Sequence, residues 1–267
     1  MVIDTPTIKQ EVLEEIAKLA KSQKKRVYFV QFGTDAASAK FVQMKVAMAK
    51  DLGIEADVVH SAAAETAEAL LVLADVIEKE YDGIVVQLPL PATMDTDLVI
   101  DSIPTEMDVD MLSEDSLVHY RNATTERTAP VAAAIQEMLW HHKIILIGKK
   151  IVVLGKGRLV GEPISMLLDR QELEYKVFDV DSNEEEKLEA LKEADIVFSG
   201  MGMPHAITED MVKEGVVLID AGTSEQKGKL VGDIDPSCYD KAQWYTPVPG
   251  GVGPLTVVCL FRNLFLE

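Results

Sequence analysis

The sequence predicts an α/β protein of two domains, each built on a parallel sheet. Three observations carry this expectation. The chain has 267 residues, more than most single cores accommodate. Apolar strand-like runs alternate with helical patterns, as parallel sheets require. The alternation comes in two series, separated by a stretch rich in Asp, Thr and Ser over residues 92–129. The domains are placed at residues 1–130 and 131–249, with residues 250–267 returning to the first.

Thr7 and Gln10 have the spacing of a capping box. Ile8, Val12, Ile16 and Leu19 then mark one helical face. Residues 26–32 (Arg-Val-Tyr-Phe-Val-Gln-Phe) form a buried strand that Gly33 stops. Residues 36–52 are helical and Gly53 is placed to cap them. A second strand spans 55–60, an apolar-faced helix 66–80, and a third strand 83–87, broken by Leu88-Pro-Leu-Pro91. Residues 92–129 are expected to be irregular loops that carry function. A helix over 130–142 leads to the second series, with strands at 150–154, 175–180, 195–199, 216–220 and 243–245. A last apolar helix covers 255–266.

Composition excludes several classes. Net charge is −19, from 45 acids against 26 bases, a surface that repels nucleic acid. The run Glu184-Glu-Glu186 fits a solvated face. Cys238 and Cys259 make neither a metal motif nor a disulfide framework and fit reduced thiols in the cytoplasm. The five histidines lack metal-ligand spacing, so no metal is expected. The first residues do not resemble a signal peptide. No apolar run reaches the roughly 20 residues of a membrane span.

Residues 155–161 (Gly-Lys-Gly-Arg-Leu-Val-Gly) follow one strand and precede a helix. Glycine allows a tight turn and close backbone approach to a pyrophosphate, whose charge sits at the helix N-terminus. Gly155, Gly157 and Gly161 therefore point to a nicotinamide dinucleotide, with Lys156, Arg158 and Val160 in the same turn. Asp179, after the next strand, suits a ribose diol. Gly200, in Ser199-Gly-Met-Gly-Met-Pro204, and Thr223, in Asp220-Ala-Gly-Thr223, lie at further strand ends suited to close cofactor approach. These turns equally suit plain packing.

Five segments resemble the methylenetetrahydrofolate dehydrogenase/methenyltetrahydrofolate cyclohydrolase family. They are Thr246-Pro-Val-Pro-Gly-Gly-Val-Gly-Pro-Leu-Thr256, Val86-Gln-Leu-Pro-Leu-Pro91, the turn from Gly155 to Pro163, Gly232-Asp-Ile-Asp235 and Asp108-Val-Asp110. The resemblance implies a small catalytic domain, a Rossmann-type domain, folate in the cleft between them, and a homodimer. It implies oxidation of 5,10-methylenetetrahydrofolate with NAD(P)+ and hydrolysis of the methenyl product to 10-formyltetrahydrofolate.

Within the resemblance, Ser38-x-x-Phe41-x-x-x-Lys45 matches the family's Ser-x-x-Tyr-x-x-x-Lys helix, which makes Lys45 the catalytic lysine. Gln87 is matched to the amide that holds this lysine and the pterin, and Asp110 to the carboxylate that grips the pterin N–H groups. Phe41, Leu88, Pro249, Gly250 and Gly251 complete the folate side. Three departures stand out. Phe41 replaces Tyr and lacks its hydroxyl. Met111 replaces Gly. Arg127-Thr-Ala-Pro130 stands where the family has Pro-Cys-Thr-Pro. In the glycine turn, Lys156-Gly157 replaces an Arg-Ser pair suited to a 2′-phosphate, and with Asp179 this leans toward NAD over NADP. The competing readings are a dehydrogenase with weakened cyclohydrolase, a catalytically silent nucleotide-binding homologue, and another Rossmann oxidoreductase of the shikimate dehydrogenase type.

Overall fold

A computed structural model describes residues 1–36 and 38–267 in full, and residue 37 only as part of its helix. The chain forms two compact units. One holds Glu11–Pro130 and Val257–Glu267, the other Met1–Gln10 and Val131–Thr256.

Helix α1 (Thr5–Ser22) starts after Asp4, whose carboxylate accepts from the Thr7 N–H and hydroxyl at 3.3 and 2.8 Å. Thr7 is therefore not the cap expected from the sequence. It lies inside the first turn, because a shorter-reaching acceptor stands three residues earlier.

The first unit is built on β1 (Arg26–Phe32), buried at every position but Arg26. Helix α2 (Ala36–Leu52) follows, started by Asp35, which accepts from the Ser38 N–H, and ended by Gly53 at φ 76°. Then come β2 (Glu55–Ser61), α3 (Thr66–Ile77) and β3 (Gly83–Val86). The three strands are parallel in the order β2-β1-β3. Central β1 is apolar almost throughout because both its faces are covered. Tyr28, Val30, Phe32, Leu73 and Val86 pack in one core cluster.

Two short helices, α4 (Thr96–Asp101) and α5 (Glu114–Arg121), occupy the stretch expected to be irregular. Local caps explain them: Asp95 accepts from the Leu98 N–H and Ser113 from the Ser116 N–H. Val99, Ile100, Leu117 and Tyr120 then bury one side of each. Two turns are too short to show a helical period in sequence.

In the second unit, α6 (Pro130–His141) leads to β4 (Ile151–Leu154), α7 (Gly161–Arg170), β5 (Tyr175–Phe178), α8 (Glu184–Glu193), β6 (Ile196–Ser199) and β7 (Val217–Asp220). A two-stranded antiparallel pair, β8 (Ser224–Gln226) and β9 (Lys229–Val231), precedes β10 (Trp244–Tyr245). Neither α8 nor the β8-β9 pair was expected. The acids of residues 184–186 form the first turn of α8, where negative charge suits the helix N-terminus. Ile3 N–H donates to the Tyr245 carbonyl, and Tyr245 N–H to that of Met1, so the first residues extend β10.

The large sheet is parallel, in the order β10-β7-β6-β4-β5. The chain leaves β4 to one side for β5, then returns to the other side for β6. Strand order thus reverses between β4 and β6, the switch point at which open α/β sheets take ligands.

Helix α9 (Val252–Asn263) begins in the second unit, and from Val257 on the chain belongs to the first. Phe261 meets Phe29 edge-on at 6.4 Å between ring centres. Asn263 Nδ2 donates to the carbonyls of Val109 and Thr128 at 2.9 Å each. A Cβ at Gly83 would lie 2.6 Å from Leu264 and 2.7 Å from Val109, so the seat for these residues needs glycine there.

Candidate active site

In the first unit, α2 turns Ser38, Val42 and Ala49 into the core. Lys45 lies on the same stripe, half-buried, while Phe41 is 47% exposed on its flank. Lys45 Nζ donates to Gln87 Oε1 at 3.2 Å. Gln87 is placed by β3: its N–H extends the sheet to the Val30 carbonyl, and its Nε2 donates to the Leu88 carbonyl at 2.6 Å. The amide is thereby oriented with its oxygen toward the lysine.

Asp110 follows a turn built by its neighbour. Buried Asp108 accepts from the Leu112 N–H, the Ser113 N–H and the Ser113 hydroxyl through Oδ2, at 3.0, 2.8 and 2.7 Å. Burial pushes the Asp110 carboxyl up, Lys45 draws it down, and Asp108 raises it again; the net direction is up. Met111 has φ 55°, the left-handed region that glycine enters most freely. The turn thus holds a buried Met in a backbone region that glycine enters more freely.

Arg127 clasps the same loop. Its Nη1 donates to the Thr105 and Glu106 carbonyls at 3.2 and 2.8 Å, and its Nε to that of Leu266 at 3.0 Å. Burial lowers the guanidinium pKa, while Asp108, Glu106 and Glu267 oppose this. Neither Asp108 nor Arg127 has a role in the sequence expectations: Asp108 serves only its own turn, and the partners of Arg127 are carbonyls 21 to 139 residues away.

Pro249, Gly250 and Gly251 lie in the second unit, outside the one that holds Lys45, Gln87 and Asp110. Gly250 has φ 105°, and a Cβ at Gly251 would come within 2.5 Å of the Pro247 carbonyl oxygen.

The glycine turn sits at the switch point. Gly155 has φ 95°, and a Cβ there would lie 2.7 Å from the Gly200 carbonyl oxygen. A Cβ at Gly161 would reach 1.9 Å from the Gly155 carbonyl oxygen, and one at Gly200 2.1 Å from Val160. Gly155, Val160, Gly161 and Gly200 are therefore one interlocked turn. Gly157 differs: a Cβ there meets nothing within 4 Å. Lys156 Nζ pairs with Asp179 Oδ2 at 2.9 Å. Hydrogen bonds from Lys156 and Ser182 hold the Asp179 carboxyl below its ordinary range. Arg158 is half-buried and Thr223 exposed on the loop after β7. A dinucleotide fits this arrangement. The turn opens α7, whose N-terminus favours a pyrophosphate, and Asp179 stands at the end of β5, where a ribose diol is held in such folds.

Among the described residues, no group of three or more His, Cys, Asp or Glu is placed to hold a metal ion. No helix among them is long and apolar enough to cross a membrane.

Comparison with known proteins agrees with both halves. Residues 4–110 match the family model of the tetrahydrofolate dehydrogenase/cyclohydrolase catalytic domain, and residues 129–267 that of its NAD(P)-binding domain. The bifunctional protein FolD of Mycoplasmopsis synoviae is 35% identical over 263 residues, covering 96% of this chain and 93% of that one. The fold is similar to the crystal structure of the bifunctional FolD enzyme from Campylobacter jejuni, with a TM-score of 0.92, 27% identity and coverage of 99% and 97% of the two chains. It is also similar to the Trypanosoma brucei enzyme, complexed with NADP and inhibitor, with a TM-score of 0.88, 29% identity and coverage of 99% and 95%. On these matches along almost its whole length, the chain belongs to the tetrahydrofolate dehydrogenase/cyclohydrolase family.

Proposed function

We propose that this chain oxidises 5,10-methylenetetrahydrofolate to the methenyl form with a nicotinamide dinucleotide, and hydrolyses methenyl- to 10-formyltetrahydrofolate. The observation that carries this reading is the oriented Lys45–Gln87 pair, in the unit that also presents Asp110. When bound, the dinucleotide accepts the hydride lost from the methylene carbon.

Hydride loss leaves a cation spread over two nitrogens and needs no strong base, so positioning dominates that half of the reaction. Asp110 supplies it: a poorly solvated carboxylate gains strongly from paired pterin N–H donors. Hydrolysis needs proton transfer as water adds to the methenyl carbon. Lys45 is the group for this, because a neighbouring methenyl cation favours its neutral amine. Gln87 takes one Nζ hydrogen and aims the rest of the amine. Phe41 offers a ring for stacking but no hydroxyl, which weakens hydrolysis relative to oxidation.

For the cofactor we favour NAD. The Lys156–Asp179 pair neutralises the one lysine of the turn. A 2′-phosphate would have to take Lys156 from Asp179 and then face the freed carboxylate. The same reading includes a homodimer in the cytoplasm, which sedimentation and cell fractionation test.

Incubation with 5,10-methylenetetrahydrofolate and either NAD+ or NADP+, followed by methenyl absorbance, tests the assignment. Methenyl should form faster with NAD+, and added methenyl should decay faster with enzyme than without. Neither methenyl nor reduced cofactor with either dinucleotide would overturn the dehydrogenase half.

A further inference from the structure

The four residues Asp220, Gly222, Gly232 and Asp233 form an interlock beside the switch point. Asp233 is fully buried. Its Oδ2 accepts from the Ser199 hydroxyl at 2.8 Å and the Met201 N–H at 2.7 Å, and its Oδ1 from the Met203 N–H at 2.7 Å. One side chain thus takes three donors from the end of β6 and the loop that leaves it. That loop contains Gly200, whose carbonyl lies against Gly155 of the glycine turn.

Glycine makes room for this carboxylate. A Cβ at Gly222 would lie 2.2 Å from Asp233 Oδ2, and one at Gly232 2.1 Å from Asp220 Oδ2. Each acid therefore fills the space left by a glycine in the segment that carries the other. Asp220, also buried, accepts from the Gly222 N–H at 3.0 Å and the Ile234 N–H at 2.9 Å. Its own N–H donates to the hydroxyl of buried Thr246 at 2.7 Å. Backbone bonds join some of these segments, such as the Ala221 N–H to the Ser199 carbonyl at 2.9 Å and the His205 N–H to the Gly232 carbonyl at 3.0 Å, and the two acids add side-chain ties to the segments around residues 199–203, 220–222 and 232–234.

At the ends of the neighbouring strands β4 and β6, Gly155 and residues 199–203 lie side by side, on the edge of the sheet where such folds take a dinucleotide. The first segment is shaped by its own glycines, and the second is held by Asp233. We infer that Asp233 is a positioning residue for dinucleotide binding: it sets the backbone of residues 199–203, and hence the surface presented beside the glycine turn, without touching the cofactor itself. This rests on the dinucleotide reading given above.

The test uses the full chain and an internal control, since methenyl hydrolysis consumes no dinucleotide. In Asp233→Asn, the amide must turn an N–H toward a loop N–H, so at least one of the three donors loses its acceptor. The dinucleotide KM and the dissociation constant from calorimetry should each rise roughly tenfold, the scale of one unsatisfied buried donor. Methenyl hydrolysis measured without dinucleotide should stay within about twofold on the same grounds. Gly222→Ala keeps the carboxylate but pushes on it, and should raise the same KM by a smaller factor. A folded Asp233→Asn protein with unchanged dinucleotide KM and dissociation constant overturns the inference. Equal loss of both activities, or failure to fold, also overturns it, because the role would then be general support. A wild-type chain that binds no dinucleotide at all would instead refute the reading on which this rests.

Discussion

The Lys45 site and the glycine turn solve opposite problems with similar residue types. Around Lys45 the polar groups are left wanting: Asp110 is held in a position that burial makes unfavourable for its charge, and Gln87 leaves most of the lysine's hydrogens unused. Beside the turn, Asp179 and Asp233 already have their partners. Asp179 has Lys156 and Ser182, and Asp233 has three donors. A site that moves protons must keep groups whose state changes in the reaction. A site that only binds does better with its polar groups satisfied before the ligand arrives.

The largest effect should come from the first site. Lys45→Met should lower methenyl hydrolysis by about 10² to 10⁴ fold, the usual scale for a lost acid–base group. Oxidation should fall far less, because it needs no strong base. Continuous assays of both steps check this, and normal hydrolysis in the variant refutes the role of Lys45.

The second site should yield a smaller change, and in selectivity more than in rate. Gly157 has open space around its missing Cβ, so serine fits there. Combined with Asp179→Asn, Gly157→Ser frees Lys156 and adds a hydroxyl for a 2′-phosphate. The ratio of kcat/KM for NADP to that for NAD should rise about tenfold, equivalent to one modest charge-assisted hydrogen bond. A ratio that does not move would remove the Lys156–Asp179 pair from cofactor choice.

The smallest effect concerns stability. Burial raises the Asp220 carboxyl from 3.8 to about 6, against hydrogen bonds that lower it. The folded state therefore prefers the protonated form. The resulting stabilisation is full below 3.8 and is lost as pH rises through 6. Roughly 1 kcal/mol of it disappears between about pH 5 and about pH 7.5. Urea titrations should show the unfolding free energy of wild type minus that of Asp220→Asn falling by that amount over the interval. A flat difference would mean that Asp220 is ionised throughout.

Much of this was legible in the sequence, for uneven reasons. Strands β1 and β4 stand out because burial on both faces demands unbroken apolar runs. Gly53 announced the end of α2 because its left-handed conformation suits glycine. Helices α4 and α5 were hidden because two turns held by local caps carry no period, and α8 because its exposed surface shows only charge. The Asp4 cap was displaced by a better-looking motif three residues later.

At the proposed sites, the strand–turn–helix context alone singles out Gly155 and Asp179. Lys45, Gln87 and Asp110 had no local signature, and only the family resemblance raised them above ordinary surface and loop residues. Asp233 lies within the resembling segment Gly232-Asp-Ile-Asp235, which by itself gives it no role. Its donors lie 30 to 34 residues earlier in the chain, and no spacing rule reaches that far.

The reciprocal seating of Asp220 and Asp233 against Gly232 and Gly222 also limits how this chain can change. Adding a methyl at either glycine strikes an acid, and shortening or removing an acid leaves a void beside a glycine. Effects of changes at such contacting positions do not add. In a library diversified for new cofactor use, the four positions would be inherited as a block, and productive variation would gather at Gly157, where a new side chain displaces nothing.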